Sequence, residues 1–125
     1  MIRCRGSFLL LKRASIVSVN PGLWSPVTGR VEGKLSLEKS AYKEIREETG
    51  LRRGGLRLVK KGGRYTLRIK QGVEASVQTF LFETKVRSIK LNWEHVKYRW
   101  VKPAQIVRFQ LIPKFDLTLK ALDLI

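Results

Sequence analysis

The spacing of apolar and polar positions divides the chain into short strands and one well-marked helix. Residues 7–11 (SFLLL) and 15–19 (SIVSV) read as two strands around a basic turn at Lys12-Arg13. The stretch 20–34, NPGLWSPVTGRVEGK, is rich in proline and glycine and reads as a loop, with a short extended piece at Val27–Val31. Leu37, Ala41 and Ile45 then recur at every fourth position, which predicts a helix over Leu37–Thr49 with a buried stripe. Its ends are marked as well. Ser36 suits the N-cap, Glu38 lies in the first turn where the dipole favours a carboxylate, and Gly50 suits the left-handed residue that closes a helix.

Downstream, residues 56–60 (LRLVK), 64–70 (RYTLRIK) and 75–83 (ASVQTFLFE) read as strands, the first two joined as a hairpin by Gly62-Gly63. In the second of these, Tyr65, Leu67 and Ile69 share one face, and Arg64, Thr66, Arg68 and Lys70 the other. Residues 97–101 (KYRWV) form another strand, stopped by Pro103. The tail from Lys114 to Ile125 places Phe115, Leu119, Leu122 and Ile125 at helical spacing. Helices and strands mixed in 125 residues predict one domain, 1–125, of the mixed α/β or α+β class.

Composition narrows the class of protein. The run Phe8–Leu11 is too short for a secretory segment or a membrane span, and Cys4 is the single cysteine. An internal disulfide and a cysteine-based zinc site are therefore excluded. A cytoplasmic protein with no membrane partner is expected. The charge is unusual: 26 Lys+Arg against 10 Asp+Glu give a net +16. Such a field attracts polyanions, whether nucleotides or nucleic acid, without specifying a reaction.

Against that background the acids are sorted. Glu32, Glu38, Glu44, Glu47 and Glu48 all fall within residues 32–48, while residues 52–70 hold no acid. On a helix Glu44, Glu47 and Glu48 share one face, where each like-charged pair costs roughly 0.2–0.5 kcal/mol. The negative end of the helix dipole adds to the penalty. A solvated face neutralised by Lys43 and Arg46 is one reading. A site for a hard divalent cation, Mg²⁺ or Mn²⁺, is the other, since such ions favour carboxylate oxygens and leave positions for phosphate and water.

At this point the segment Gly29–Leu51, GRVEGKLSLEKSAYKEIREETGL, resembles the Nudix box: G, five residues, E, seven residues, then R-E-U-x-E-E-x-G-U with U aliphatic. Gly29, Glu44, Ile45, Glu47, Glu48, Gly50 and Leu51 fall on their places. Leu35 stands where the box has its first Glu, and Lys43 where it has Arg. The preceding LWSPVTG resembles the W-x-x-V-T-G lead-in of Nudix hydrolases acting on nucleoside or pterin triphosphates. EHVKYRWV at 94–101 resembles a stretch that those enzymes carry before their last strand.

The resemblance implies an α+β fold, the Nudix α/β/α sandwich with a central mixed β-sheet. It also implies a Mg²⁺- or Mn²⁺-dependent pyrophosphohydrolase that cuts a phosphoanhydride of a nucleoside diphosphate-linked substrate, foremost a nucleoside or pterin triphosphate. Glu44, Glu47 and Glu48 would hold metal. Glu44, Glu47 and Glu94 are the acids from which the group acting on water would be drawn. Trp24 would stack on a base or anchor a loop, and His95 would serve a structural or hydrogen-bonding role. Arg64 and Arg68, with Lys60, Lys61 and Lys70, would form a basic ribbon for substrate phosphates. The changes at Leu35 and Lys43 leave a second reading open: a catalytically weakened Nudix-fold protein that binds RNA or a nucleotide through its basic surface. Lys43 keeps a charge without the guanidinium fork, and Leu35 accepts no hydrogen bond.

Overall fold

A computed structural model describes residues 1–28 and 35–125, and for Ile69 and Lys70 the backbone alone. Gly29, Glu32 and most of the extended piece expected at Val27–Val31 lie outside the described residues. The chain runs β1 (Ile2–Cys4), β2 (Ser7–Arg13), β3 (Trp24–Ser25), α1 (Leu37–Thr49), β4 (Arg57–Lys70), β5 (Val73–Glu83), β6 (His95–Val101) and α2 (Phe115–Ala121). Short 3-10 helices cover Arg53–Gly55 and Pro103–Arg108. The sheet order is β3-β2-β1-β5-β4, with β6 pairing β2. β1 runs parallel to β5 and the other pairs are antiparallel, so the sheet is mixed.

The apolar run of β2 lacks alternation because it is buried on both faces. Phe8 and Leu10 join Leu81, Phe115, Leu119 and Leu122 on the α2 side. Leu9 and Leu11 join Ile45, Phe80 and Phe82 on the α1 side. One helix on each face of a mixed sheet is the expected α/β/α sandwich. Among the described residues no helix is long and apolar enough to cross a membrane.

α1 forms where its local signals place it. Ser36 Oγ accepts the Lys39 N–H at 3.1 Å, and Gly50, at φ +75°, donates its N–H to the Arg46 carbonyl at 2.9 Å. Ile45 is buried, with Leu37 and Ala41 packed partly buried beside it.

Four expectations are corrected. Lys12-Arg13 is not a turn but the end of β2, where Lys12 pairs with Trp24 and Lys97, and Arg13 with His95. Residues 15–19 form no strand, and Ile16 is 77% exposed. Both edges of β2 are already occupied, by β6 on one side and by β1 and β3 on the other, so SIVSV has no edge to join. Gly62-Gly63 makes no hairpin either. β4 continues through it with a shift of register between Lys61 and Arg64, and the turn falls at Gln71-Gly72, with Gly72 at φ +75°. The glycine is needed for a close approach: a Cβ on Gly62 would lie 2.6 Å from the Ala121 carbonyl oxygen and 2.7 Å from Leu122 Cδ2. The C-terminal helix stops at Ala121, leaving Ile125 70% exposed instead of in the buried stripe.

Candidate active site

α1 aims its acids in different directions. Glu47 is exposed and ion-paired with Lys43 at 3.0 Å. Glu44 is half-buried and hydrogen-bonds Glu48. Glu48 turns inward on the same side as Thr49 and Ile45 and is only 2% exposed. Beneath it lies the junction of β2 and β6. The register that pairs Arg13 with His95, and the bond from Ala14 N–H to the Glu94 carbonyl at 2.8 Å, bring Arg13, Glu94 and His95 to that junction.

The electrostatics follow from burial. The Glu48 carboxyl is pushed up from its ordinary 4.5 to about 9, first by desolvation, then by its hydrogen bond with Glu44 and by the charges of Glu44 and Glu94. Arg13 opposes this shift. His95 is pushed down to about 4, first by burial and then by the Arg13 charge. His95 Nε2 lies 3.7 Å from Glu48 Oε1. At neutral pH the shifts make both groups uncharged, so this contact is not an ion pair. Among the described residues neither His95 ring nitrogen has a hydrogen-bond partner. Glu94 is half-buried, and both its backbone and its carboxylate are held by Asn92: its N–H donates to Asn92 Oδ1 at 3.1 Å and its Oε1 accepts from Asn92 Nδ2 at 3.3 Å.

A hollow of about 740 Å³ opens beside Glu44, between α1 and the β4–β5 ribbon, with Ser40, Tyr65, Gln78 and Phe80 on its walls. The Ser40 hydroxyl is buried there without a partner among the described residues. Tyr65 shares a hydrogen bond of 2.7 Å with Thr118 of α2, so its hydroxyl faces inward.

The remaining expected site residues lie apart from the acids. Trp24 packs against the α2-side core, its ring edge-on to Phe109 at 5.0 Å. Arg64 donates to Gln78 Oε1 at 2.7 Å, and Arg68 pairs across the ribbon with Glu74. Neither arginine lines the hollow beside Glu44. The basic ribbon is also not one face: Lys60 lies opposite Leu81 of the α2-side core and ion-pairs with Asp123, whereas Lys61 lies opposite Phe80 of the α1-side core. Arg13, Asn92 and Ser40 were not singled out by the sequence. Arg13 read as a turn residue, and only the β2–β6 register reveals its place.

Among the described residues no three His, Cys, Asp or Glu side chains already converge as metal ligands. The comparisons with known proteins agree with the geometry. The model of the NUDIX domain matches residues 1–122. The chain belongs to the Nudix hydrolase family. This Nudix hydrolase is 31% identical over 121 residues to nucleoside triphosphatase NudI of an Escherichia coli strain, covering 89% of the chain and 84% of that protein. It is similar to the crystal structure of a MutT protein from Methanosarcina mazei, with TM-score 0.77, 27% identity, and 98% and 88% of the two chains covered. It also shares the fold of the Escherichia coli dihydroneopterin triphosphate pyrophosphohydrolase, with TM-score 0.74, 18% identity, and 98% and 91% covered. The Nudix hydrolase is thus an enzyme of the pyrophosphohydrolase type, and the acids of α1 sit in the segment that carries the family box.

Proposed function

We propose that this Nudix hydrolase cleaves a phosphoanhydride bond of a nucleoside triphosphate with Mg²⁺ or Mn²⁺, a pterin triphosphate being the neighbouring substrate class. The similarity to a nucleoside triphosphatase over most of both chains supports the nucleoside, since the pterin enzyme is alike in fold alone. The observation that carries the reading is Glu48: a carboxyl 2% exposed, beside two other carboxyls, which gives up its proton readily only when another positive charge takes its place. Glu44 and Glu48, already hydrogen-bonded to each other, with Glu47 turned from Lys43 towards them, would offer an all-oxygen donor set that suits a hard divalent cation. When bound, such a cation stabilises charge developing on the phosphate oxygens.

The protein's own groups supply the rest. Glu44, Glu47 or Glu94 takes the proton of the attacking water, and the Asn92 bonds hold Glu94 in place for this. Neutral His95 seals the inner side of Glu48 without adding charge. The hollow beside Glu44 receives the nucleoside, offering the hydroxyl of Ser40, unpartnered among the described residues, and an apolar wall at Phe80. Lys43, which holds Glu47 at 3.0 Å, supplies an ion pair where the family box has arginine. In the binding-protein reading, RNA would instead lie on the basic surface. The test is Mn²⁺ binding followed by electron paramagnetic resonance. The proposal expects binding that Glu48→Gln abolishes, and equal affinity in both proteins would overturn it.

A further inference from the structure

The geometry points to a binding site for a compact oligophosphate anion, pyrophosphate or a triphosphate group, in a basic hollow on the outer flank of α1. The hollow measures about 580 Å³ and is lined by Tyr42, Lys43, Arg46, Arg52, Arg53 and Gly54. At 3.6 residues per turn, Tyr42, Lys43 and Arg46 share a flank of α1 away from Glu44 and Glu48. Gly50 ends the helix in the left-handed conformation, and the 3-10 turn Arg53–Gly55 follows directly. The chain therefore doubles back and sets Arg52 and Arg53 beside the helix cations.

Two features separate this hollow from an ordinary solvated surface. Its wall is built: the Tyr42 ring is fixed edge-on against Phe82 at 5.0 Å, and the Arg53 guanidinium lies over that ring, 4.5 Å from its centre. A stacked arginine keeps its fork oriented and loses less freedom on meeting an anion. Its three arginines, Arg46, Arg52 and Arg53, also lack carboxylate partners among the described residues, and Lys43 pairs with Glu47 at the rim. Guanidinium groups gathered without carboxylates repel one another, and an anion with several phosphate oxygens relieves that repulsion by two-pronged hydrogen bonds. The concave shape favours a compact anion over an extended strand of nucleic acid, which would follow a groove or ribbon. The hollow's arginines lie away from Glu44 and Glu48, with Glu47 reaching only its rim through Lys43, so anion binding here is separable from metal binding by those two acids.

The test is calorimetric titration of metal-free protein, kept in chelator at near-physiological salt, with inorganic tripolyphosphate and with pyrophosphate. The expected result is saturable binding of a single anion per chain. Arg46→Ala combined with Arg52→Ala should weaken it about a hundredfold, at roughly tenfold for each arginine. Lys97→Ala combined with Arg99→Ala removes the same charge from exposed positions of β6 and should change it less than about threefold. Equal weakening by both pairs would overturn the site in favour of the diffuse field. Single-stranded RNA held by these arginines and not displaced by tripolyphosphate would overturn the ligand class. Amide NMR of the unmodified protein decides the matter without any variant: shifts centred on Tyr42 and Arg53 support the site, and shifts elsewhere alone refute it.

Discussion

His95 of β6 and Glu48 of α1 face each other across 3.7 Å, both buried and both turned away from their charged forms. The fold thus keeps a carboxyl protonated beside a histidine that does not take its proton. Desolvation is the first cause on both sides, and Arg13 further disfavours charge on His95. A cation entering on the Glu44 side is the event that would change the protonation of Glu48.

Stability should depend on pH through this pair. Glu48 has a folded value of about 9 against 4.5, so the folded state holds a proton that the unfolded state releases between those limits. Its contribution is full below about 4.5 and is lost as pH rises towards about 9. His95, lowered from 6.5 to about 4, acts oppositely: its contribution is full above 6.5 and is lost as pH falls through about 4. In chelator, the melting temperature should therefore fall between pH 6.5 and 9 in the parent protein, and this slope should flatten in Glu48→Gln. A parent slope retained in that variant would assign the titration to another group.

Gly62→Ala should destabilise the fold by about 1–3 kcal/mol, because the added methyl has no room against the Ala121 carbonyl and Leu122. Chemical denaturation measures this. Gly63→Ala, whose added methyl would meet nothing nearer than Ala121 Cβ at 3.7 Å apart from its adjacent residues, should cost distinctly less.

Trp24→Ala should act on stability and leave nucleotide affinity within about twofold, since the ring is engaged by Phe109 and the α2-side core. A loss of about 2–4 kcal/mol is expected, somewhat below that of a fully buried tryptophan. A large rise in KM with unchanged stability would return Trp24 to a base-stacking role.

The sequence was most legible where signals are local. The cap, the fourth-residue stripe and the closing glycine of α1 act within a few residues, and the helix spans Leu37–Thr49 as they indicate. The box acids were legible by spacing for the same reason. Their fates were not: that Glu48 is buried while Glu47 is exposed depends on the β2–β6 junction, which joins residues far apart in sequence. Arg13 looked like a turn because the edge it completes is supplied by His95. Gly62-Gly63 looked like a hairpin because the tight approach of Ala121 and Leu122 is invisible in sequence, and a close approach and a turn both call for glycine.

The most direct measurement is turnover of a panel of nucleoside triphosphates with Mg²⁺ or Mn²⁺, following pyrophosphate and phosphate release, with Glu48→Gln alongside. The account predicts metal-dependent release by the parent protein and a fall of about a hundredfold or more in the folded variant. Release that is unaffected by Glu48→Gln, or a folded parent protein that turns over no triphosphate with either metal, would contradict it.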